Sequence, residues 1–245
     1  PSKAIDQAQR VVTLRPNAAL GHMLLASIHE SQKDINLAVD ELKKGIHAEP
    51  GNMLAKLKLG NLYLGQKEFA SAGNTFNEVI RDKPDFAPAH FALGTLYEIT
   101  GKKKDAIKKY RDAITKDENF VPALNNLAYL SAEGYGTKEE ALRYSFLAYK
   151  LEPGNPGVMD TLGVALLRNG KVNDAVKILG KAASALPNNP TVLYHFALAL
   201  KEKGDLANAK EQLKKALNTA DFPEVARARQ LQSELNNYTV IKKIK

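Results

Sequence analysis

Cysteine and tryptophan are both missing from this 245-residue sequence, and methionine occurs only three times. Without cysteine there can be no disulfide, no thiolate metal site and no cysteine nucleophile. That lack fits any compartment, because a secreted or periplasmic protein can do without disulfides. No apolar run approaches the ~18 residues that a membrane span requires. Signal-peptide and lipidation motifs are also missing. Because the chain starts at Pro1 rather than Met, it is expected to be a piece of a longer protein, and missing targeting signals then carry little weight.

The chain does contain enough to fold. Hydrophobic residues make up 44% and charged residues 25%, far from a disordered composition. A formal net charge of +8 raises the question of nucleic acid or an anionic membrane, but charge bears on solubility and encounter rather than on fold.

An internal period organises the sequence. Pro16, Pro50 and Pro84 are 34 residues apart, Glu118 stands at the next interval, and Pro153 and Pro187 follow at 35 and 34. Alanines keep the same beat twelve positions before these marks: Ala4, Ala38, Ala72, Ala106, Ala141 and Ala175, with Ala209 one period further on. At a third phase, Gly60, Gly94 and Gly163 alternate with Ala26, Ala128 and Ala197. Each unit reads as two helices. In residues 87–120 the first carries Leu93, Leu96 and Tyr97, a break falls near Gly101, and the second carries Ala106, Ile107, Tyr110, Ala113 and Ile114. Proline, or polar residues in its place, ends the second helix. A hairpin this small cannot bury both faces alone. Stacking on its neighbours buries them, and close stacking demands small residues at the crossings.

Residues 93–97 read LGTLY, 59–63 read LGNLY and 106–113 read AIKKYRDA, followed elsewhere by proline, on a 34-residue period. This pattern resembles the tetratricopeptide repeat. The resemblance covers about residues 1–237 and implies an all-α fold, a right-handed superhelical solenoid of tandem helix-turn-helix repeats. The expected division is a second helix of a truncated repeat over 1–18, six repeats over 19–52, 53–86, 87–120, 121–155, 156–189 and 190–223, a capping helix over 224–237, and a basic tail, YTVIKKIK, over 238–245. The tail could be disordered or lie as an extended strand in a neighbour's groove. Three departures stand out. The first bulky position of the first helix is never Trp but His22, Lys56, His90, Leu124, Met159 or Leu193; the fourth repeat has one extra residue around SAEGYGTKEEA, predicting a longer and more mobile turn; and Glu118 replaces a proline.

The resemblance further implies that first helices line a concave face. Its second, fifth, ninth and twelfth repeat positions give the candidate partner-binding residues Met23, Leu57 and Asn61, then Phe91, Thr95 and Glu98, then Asn125, Tyr129 and Asp160, and finally Tyr194; Asn126 is added beside Asn125. Aromatic anchors suit binding hot spots, and asparagine offers a donor and an acceptor to an extended backbone. The alternative for several of them is partial burial between neighbouring first helices. A clamp for a C-terminal carboxylate is not expected, because none of the fifth positions (Met23, Leu57, Phe91, Asn125, Asp160, Tyr194) is basic. The run KKKDAIKKYR lacks interleaved aromatics and reads as a solvated helix face rather than a nucleic-acid patch.

Catalysis has no visible basis. His22 and His29 are seven apart rather than four, and His47, His90 and His195 fall at phases unrelated to one another; packing or surface roles are expected for all five. No serine elbow or phosphate loop occurs, and no cofactor, metal or small-molecule substrate is expected. The reading is therefore a non-enzymatic scaffold that holds a protein or peptide in its groove. Alternatives are a regulatory or targeting module of a larger enzyme, or a self-assembling structural protein. ALNNLAYL, GNPGVMDTLGVALLRNGKVNDAVKILGKAA and NNPTVLYHFALALKEKGDLANAKEQL are similar to bacterial tetratricopeptide proteins, in particular lipoproteins encoded beside exosortase/PEP-CTERM exopolysaccharide systems. That similarity implies a periplasmic or envelope setting and a role in assembly or export, with membrane association only through a partner or an anchor outside this sequence.

Overall fold

In the computed structural model, residues 2–244 are described, with side chains for 3–237. All regular structure among them is helical, and the chain divides into two compact units, Pro1–Glu118 and Asn119–Lys245. The first holds α1 (Ser2–Leu14), α2 (Leu20–Ser31), α3 (Ile35–Ala48), α4 (Met53–Gly65), α5 (Phe69–Asp82), α6 (Ala87–Ile99) and α7 (Lys103–Lys116). The second holds α8 (Val121–Leu130), a π turn (Ser131–Tyr135), α9 (Lys138–Leu151), α10 (Pro156–Arg168), α11 (Val172–Ala185), α12 (Pro190–Lys203), α13 (Leu206–Ala216) and α14 (Val225–Ile244). Within each unit, consecutive helices pack as hairpins and each hairpin packs on the next; α14 packs on α13. The last helix passes the expected boundary at 237, and the side chains of the expected basic tail lie outside the described residues.

Local chemistry explains where helices begin and end. Asn52, Asn155 and Asn189 cap α4, α10 and α12 by accepting hydrogen bonds from backbone N–H groups of the first turn. Thr137 and Glu140 form a reciprocal capping box at the start of α9. Pro50, Pro84, Pro153 and Pro187 each stand two residues beyond a second helix, and α7 stops at the same phase before Glu118. Proline therefore reinforces that stop without being necessary for it. The extra residue of the fourth repeat does not lengthen the turn as expected. It is taken up at the end of the first helix as the π turn, where Gly134 turns the chain at φ 97°.

The small residues do what the period demands. A Cβ built on Gly94 would lie 2.6 Å from Cε1 of Tyr110, a ring buried to 0% exposure, and Gly60 and Gly163 meet Phe76 and Leu179 in the same way. Where the first helix carries Ala26 or Ala197 instead, the facing residue in the core is Leu42 or Leu213. The missing tryptophan is replaced by polar links to the second helix. Lys56 Nζ donates to Glu78 (2.7 Å) and Asp82 (2.8 Å), and His22 Nδ1 lies 2.8 Å from Glu41; His90 Nε2 instead donates to the Pro84 carbonyl, in the connection before its own helix, at 2.8 Å.

Two stability measurements follow. Gly94→Val is expected to cost about 2–3 kcal/mol through overpacking against Tyr110, seen as a lower thermal midpoint by circular dichroism. The hairpin turns of the first two repeats hold Lys33 (φ 66°) and Lys67 (φ 62°) where later repeats hold Gly101, Gly170 and Gly204. Lys67→Gly should therefore raise the midpoint, worth about 1 kcal/mol; an unchanged or lower midpoint would mean that the left-handed turn is not strained.

Candidate functional site

Six of the eleven candidate groove residues fall in two places, one in each unit. In the first unit Phe91, Thr95 and Glu98 surround Tyr110: the Phe91 and Tyr110 rings are 5.6 Å apart, and the Tyr110 hydroxyl donates to Glu98 at 2.7 Å. Glu98 also accepts from Lys103 at 3.2 Å, so its carboxylate serves its own hairpin. Met23 and Leu57 pack at the fringes of separate core clusters, while Asn61 is exposed. Leu20, Leu24 and Leu54, on the first helices, are 46%, 41% and 58% exposed.

The second unit concentrates more chemistry. Asp160 on α10 and His195 on α12 are buried, and His195 Nδ1 lies 3.0 and 2.9 Å from the two carboxylate oxygens of Asp160. Tyr194 packs its ring 5.6 Å from the imidazole, and Tyr129 from α8 lies 6.3 Å away on another side. Glu224, just before α14, is buried; it accepts from the Tyr129 hydroxyl at 3.2 Å and from Thr191 at 2.8 Å. Arg227, one turn into α14, donates to Glu133 of the π turn at 2.8 Å, and Arg168 at the end of α10 approaches the same carboxylate at 3.6 Å. Half-buried Asn125 keeps its carbonyl oxygen unpartnered among the described residues.

Tyr194, His195, Glu133, Arg168 and Arg227 line a recess of about 440 Å³, with Val164, Leu167, Val172 and Leu198 as its apolar wall. Of the candidates, Tyr194 lines the recess itself, while Tyr129 and Asp160, from the two preceding repeats, meet His195 behind it. Sequence reasoning passed over His195, Glu133, Arg168, Glu224 and Arg227. The available signals were an acidic residue at an otherwise apolar groove position, a histidine 35 residues later, and the single inserted residue that places Glu133.

Burial pulls the His195 imidazolium down in pKa, but the Asp160 carboxylate beside it, with Glu224 and Glu133 further off, outweighs burial and holds it above the ordinary histidine value. Burial pushes the Tyr194 hydroxyl up, against the opposing pull of Arg227. Burial also raises Tyr129, aided by the Glu224 and Glu133 charges. Among the described residues no group of histidine and carboxylate ligands is arranged to hold a metal.

Elsewhere, most of the basic run is engaged, Arg111 included. Lys103 pairs with Glu98, Lys109 pairs with Asp112 at 3.0 Å, and Lys102 lies over the Tyr97 ring. Lys104 and Lys108 are exposed.

Models of the tetratricopeptide repeat match residues 57–119 and 166–233, between them more than half of the chain. The chain belongs to the tetratricopeptide repeat family. The second of these matches runs from α10 to α14 and so includes most of the recess. No curated protein matches the tetratricopeptide chain in sequence. Among solved structures it is similar to a chain of the APC/C hetero-tetramer Cut9–Hcn1, with a TM-score of 0.78 at 16% identity over 96% of this chain; it spans 46% of that one. The type IV pilus biogenesis factor PilW gives a TM-score of 0.69 at 19% identity, covering 84% of this chain and 96% of its own. PilF of Pseudomonas aeruginosa gives 0.63 at 23% identity, covering 78% and 86%. At these identities the likeness is one of fold: all-α tandem helical hairpins.

The His195–Asp160 pair sets a sign for pH dependence. Below about pH 6.5 histidine is charged in the folded and the unfolded chain alike, and the pair contributes its full stability. As pH rises through the elevated folded value, that contribution is lost. The thermal midpoint should therefore fall on going from pH 6 to pH 9, and Asp160→Asn should flatten this part of the profile. An identical slope in the variant would remove His195 as its source.

Proposed function

We propose that the tetratricopeptide chain is a protein-interaction scaffold. It holds a segment of a partner protein against the first helices of its second unit, at the recess beside Tyr194 and His195, during assembly of a larger complex. The observation that carries this reading is the convergence of Tyr129, Asp160 and Tyr194 beside a recess of about 440 Å³ with both apolar and charged walls. Such a mixture suits a side chain that is anchored by burial and oriented by a few polar contacts. Half-exposed arginines at its edge, 50% for Arg168 and 56% for Arg227, are of the residue type enriched at binding hot spots. Leu20, Leu24 and Leu54 offer a separate apolar contact on the first unit.

The family is one of protein-binding scaffolds, and the similar folds include a chain from a hetero-tetramer and a pilus biogenesis factor. Those likenesses support a role in assembly, and PilW and PilF support a bacterial, envelope-associated setting. No helix among the described residues is long and apolar enough to cross a membrane. On this reading the work is non-covalent.

The test is a cross-linking pull-down from the source organism with the wild-type chain and with Leu198→Lys, which places a charge in the recess wall. Partner recovery is expected to fall at least about tenfold, as for loss of a buried anchor, with the far-ultraviolet spectrum unchanged. Equal recovery by a folded variant would overturn this placement of the site.

A further inference from the structure

The recess has more hydrogen-bond donors than its own residues satisfy. Each guanidinium carries five N–H donors, yet Arg168 and Arg227 share a single carboxylate, that of Glu133, and Arg168 only approaches it, at 3.6 Å. Lys138 also lines the recess, and its ammonium has no ion-pair partner among the described residues. The Tyr194 side chain is 4% exposed overall and lines the same space, and its hydroxyl has no hydrogen-bond partner among the described residues. The hydroxyl meets solvent rather than being sealed away, so it is free to donate to an acceptor that enters the recess.

The charge balance narrows what that group is. Among the lining side chains, Lys138, Arg168 and Arg227 face Glu133 and Glu202, which leaves one positive charge in excess; buried Glu224, bonded to Tyr129 and Thr191, stands behind the lining. His195 and Asp160 form a pair of their own beneath. One excess charge suits a monoanion better than a phosphate dianion, and the two arginines suit the flat fork of a carboxylate. Val164, Leu167, Val172 and Leu198 give an aliphatic stem a dry wall to lie against.

We propose that the recess binds the carboxylate of an acidic side chain on a partner segment, with Arg168, Arg227 and the Tyr194 hydroxyl as donors and an aliphatic neighbour of that side chain on the apolar wall. This deepens the scaffold reading and rests on it. Lys138 steers the approach from the rim, and Glu133 holds Arg227 in place before the ligand arrives.

The test is a heteronuclear NMR titration of the full isotope-labelled chain with acetyl-Leu-Glu-Leu-amide and acetyl-Leu-Gln-Leu-amide. The glutamate peptide is expected to shift resonances of the recess and to bind at least about tenfold more tightly than its neutral twin, as for a charge-assisted bond. Tyr194→Phe and Arg168→Gln, which keep the ring and most of the side-chain stem, should each weaken the glutamate peptide more than the glutamine peptide and so narrow the gap between them. Equal binding of the two peptides at the recess overturns the carboxylate and leaves the scaffold reading standing. Wild-type affinity in both variants also overturns the carboxylate. Shifts with neither peptide overturn both proposals if they are absent from the recess altogether. Tighter binding of acetyl-Leu-Leu with a free carboxyl end overturns the assignment to a side chain and points to a chain terminus.

Discussion

The close approach of two helices within each hairpin governs the rest of this structure. Gly94 and Tyr110 set that distance in the third repeat, as Gly60 with Phe76 and Gly163 with Leu179 do in others. A small residue lets the backbone of the first helix settle on a bulky side chain of the second. Once that distance is set, the next hairpin has a defined surface to pack on, because each hairpin alone is too small to bury its apolar faces. Precision here is what allows first-helix residues from successive repeats to meet at one point.

That meeting point is the second unit's recess. Asp160 and His195, one repeat apart, pair beneath it, and Arg227 of α14 lines one side, with Glu224 bonded to Tyr129 and Thr191 behind it. These contacts reach back 95 residues, from Glu224 to Tyr129, and 94 residues, from Arg227 to Glu133. The final helix therefore covers more than exposed core at the end of a stack. It also supplies polar groups to the wall of the recess, and burying a charged pair with its hydrogen bonds satisfied specifies one arrangement more than it adds stability.

Much of the fold was legible because the period is a property of the sequence itself. Alanines at 38, 72, 106, 141 and 175, with prolines twelve positions later in most repeats, announce both helices and the stop between hairpins without any knowledge of contacts. The inserted residue of the fourth repeat was visible, but its outcome was not. Whether it lengthens a loop or a helix end depends on Gly134 and on the Thr137–Glu140 cap together. For the proposed site, repeat position picked out Tyr129, Asp160 and Tyr194 as first-helix residues, yet position cannot say that Glu98 is consumed by Tyr110 within its own hairpin. Nor can it show that Glu224 and Arg227 come from a helix read only as a polar cap. Long-range polar pairs leave no periodic trace.

The most direct measurement is hydrogen exchange by mass spectrometry on the chain alone and in complex with a captured partner. The account predicts that protection gained on binding concentrates in α10, α12, the π turn and the start of α14. Protection confined to the second helices α9, α11 and α13, with those segments unchanged, would contradict it.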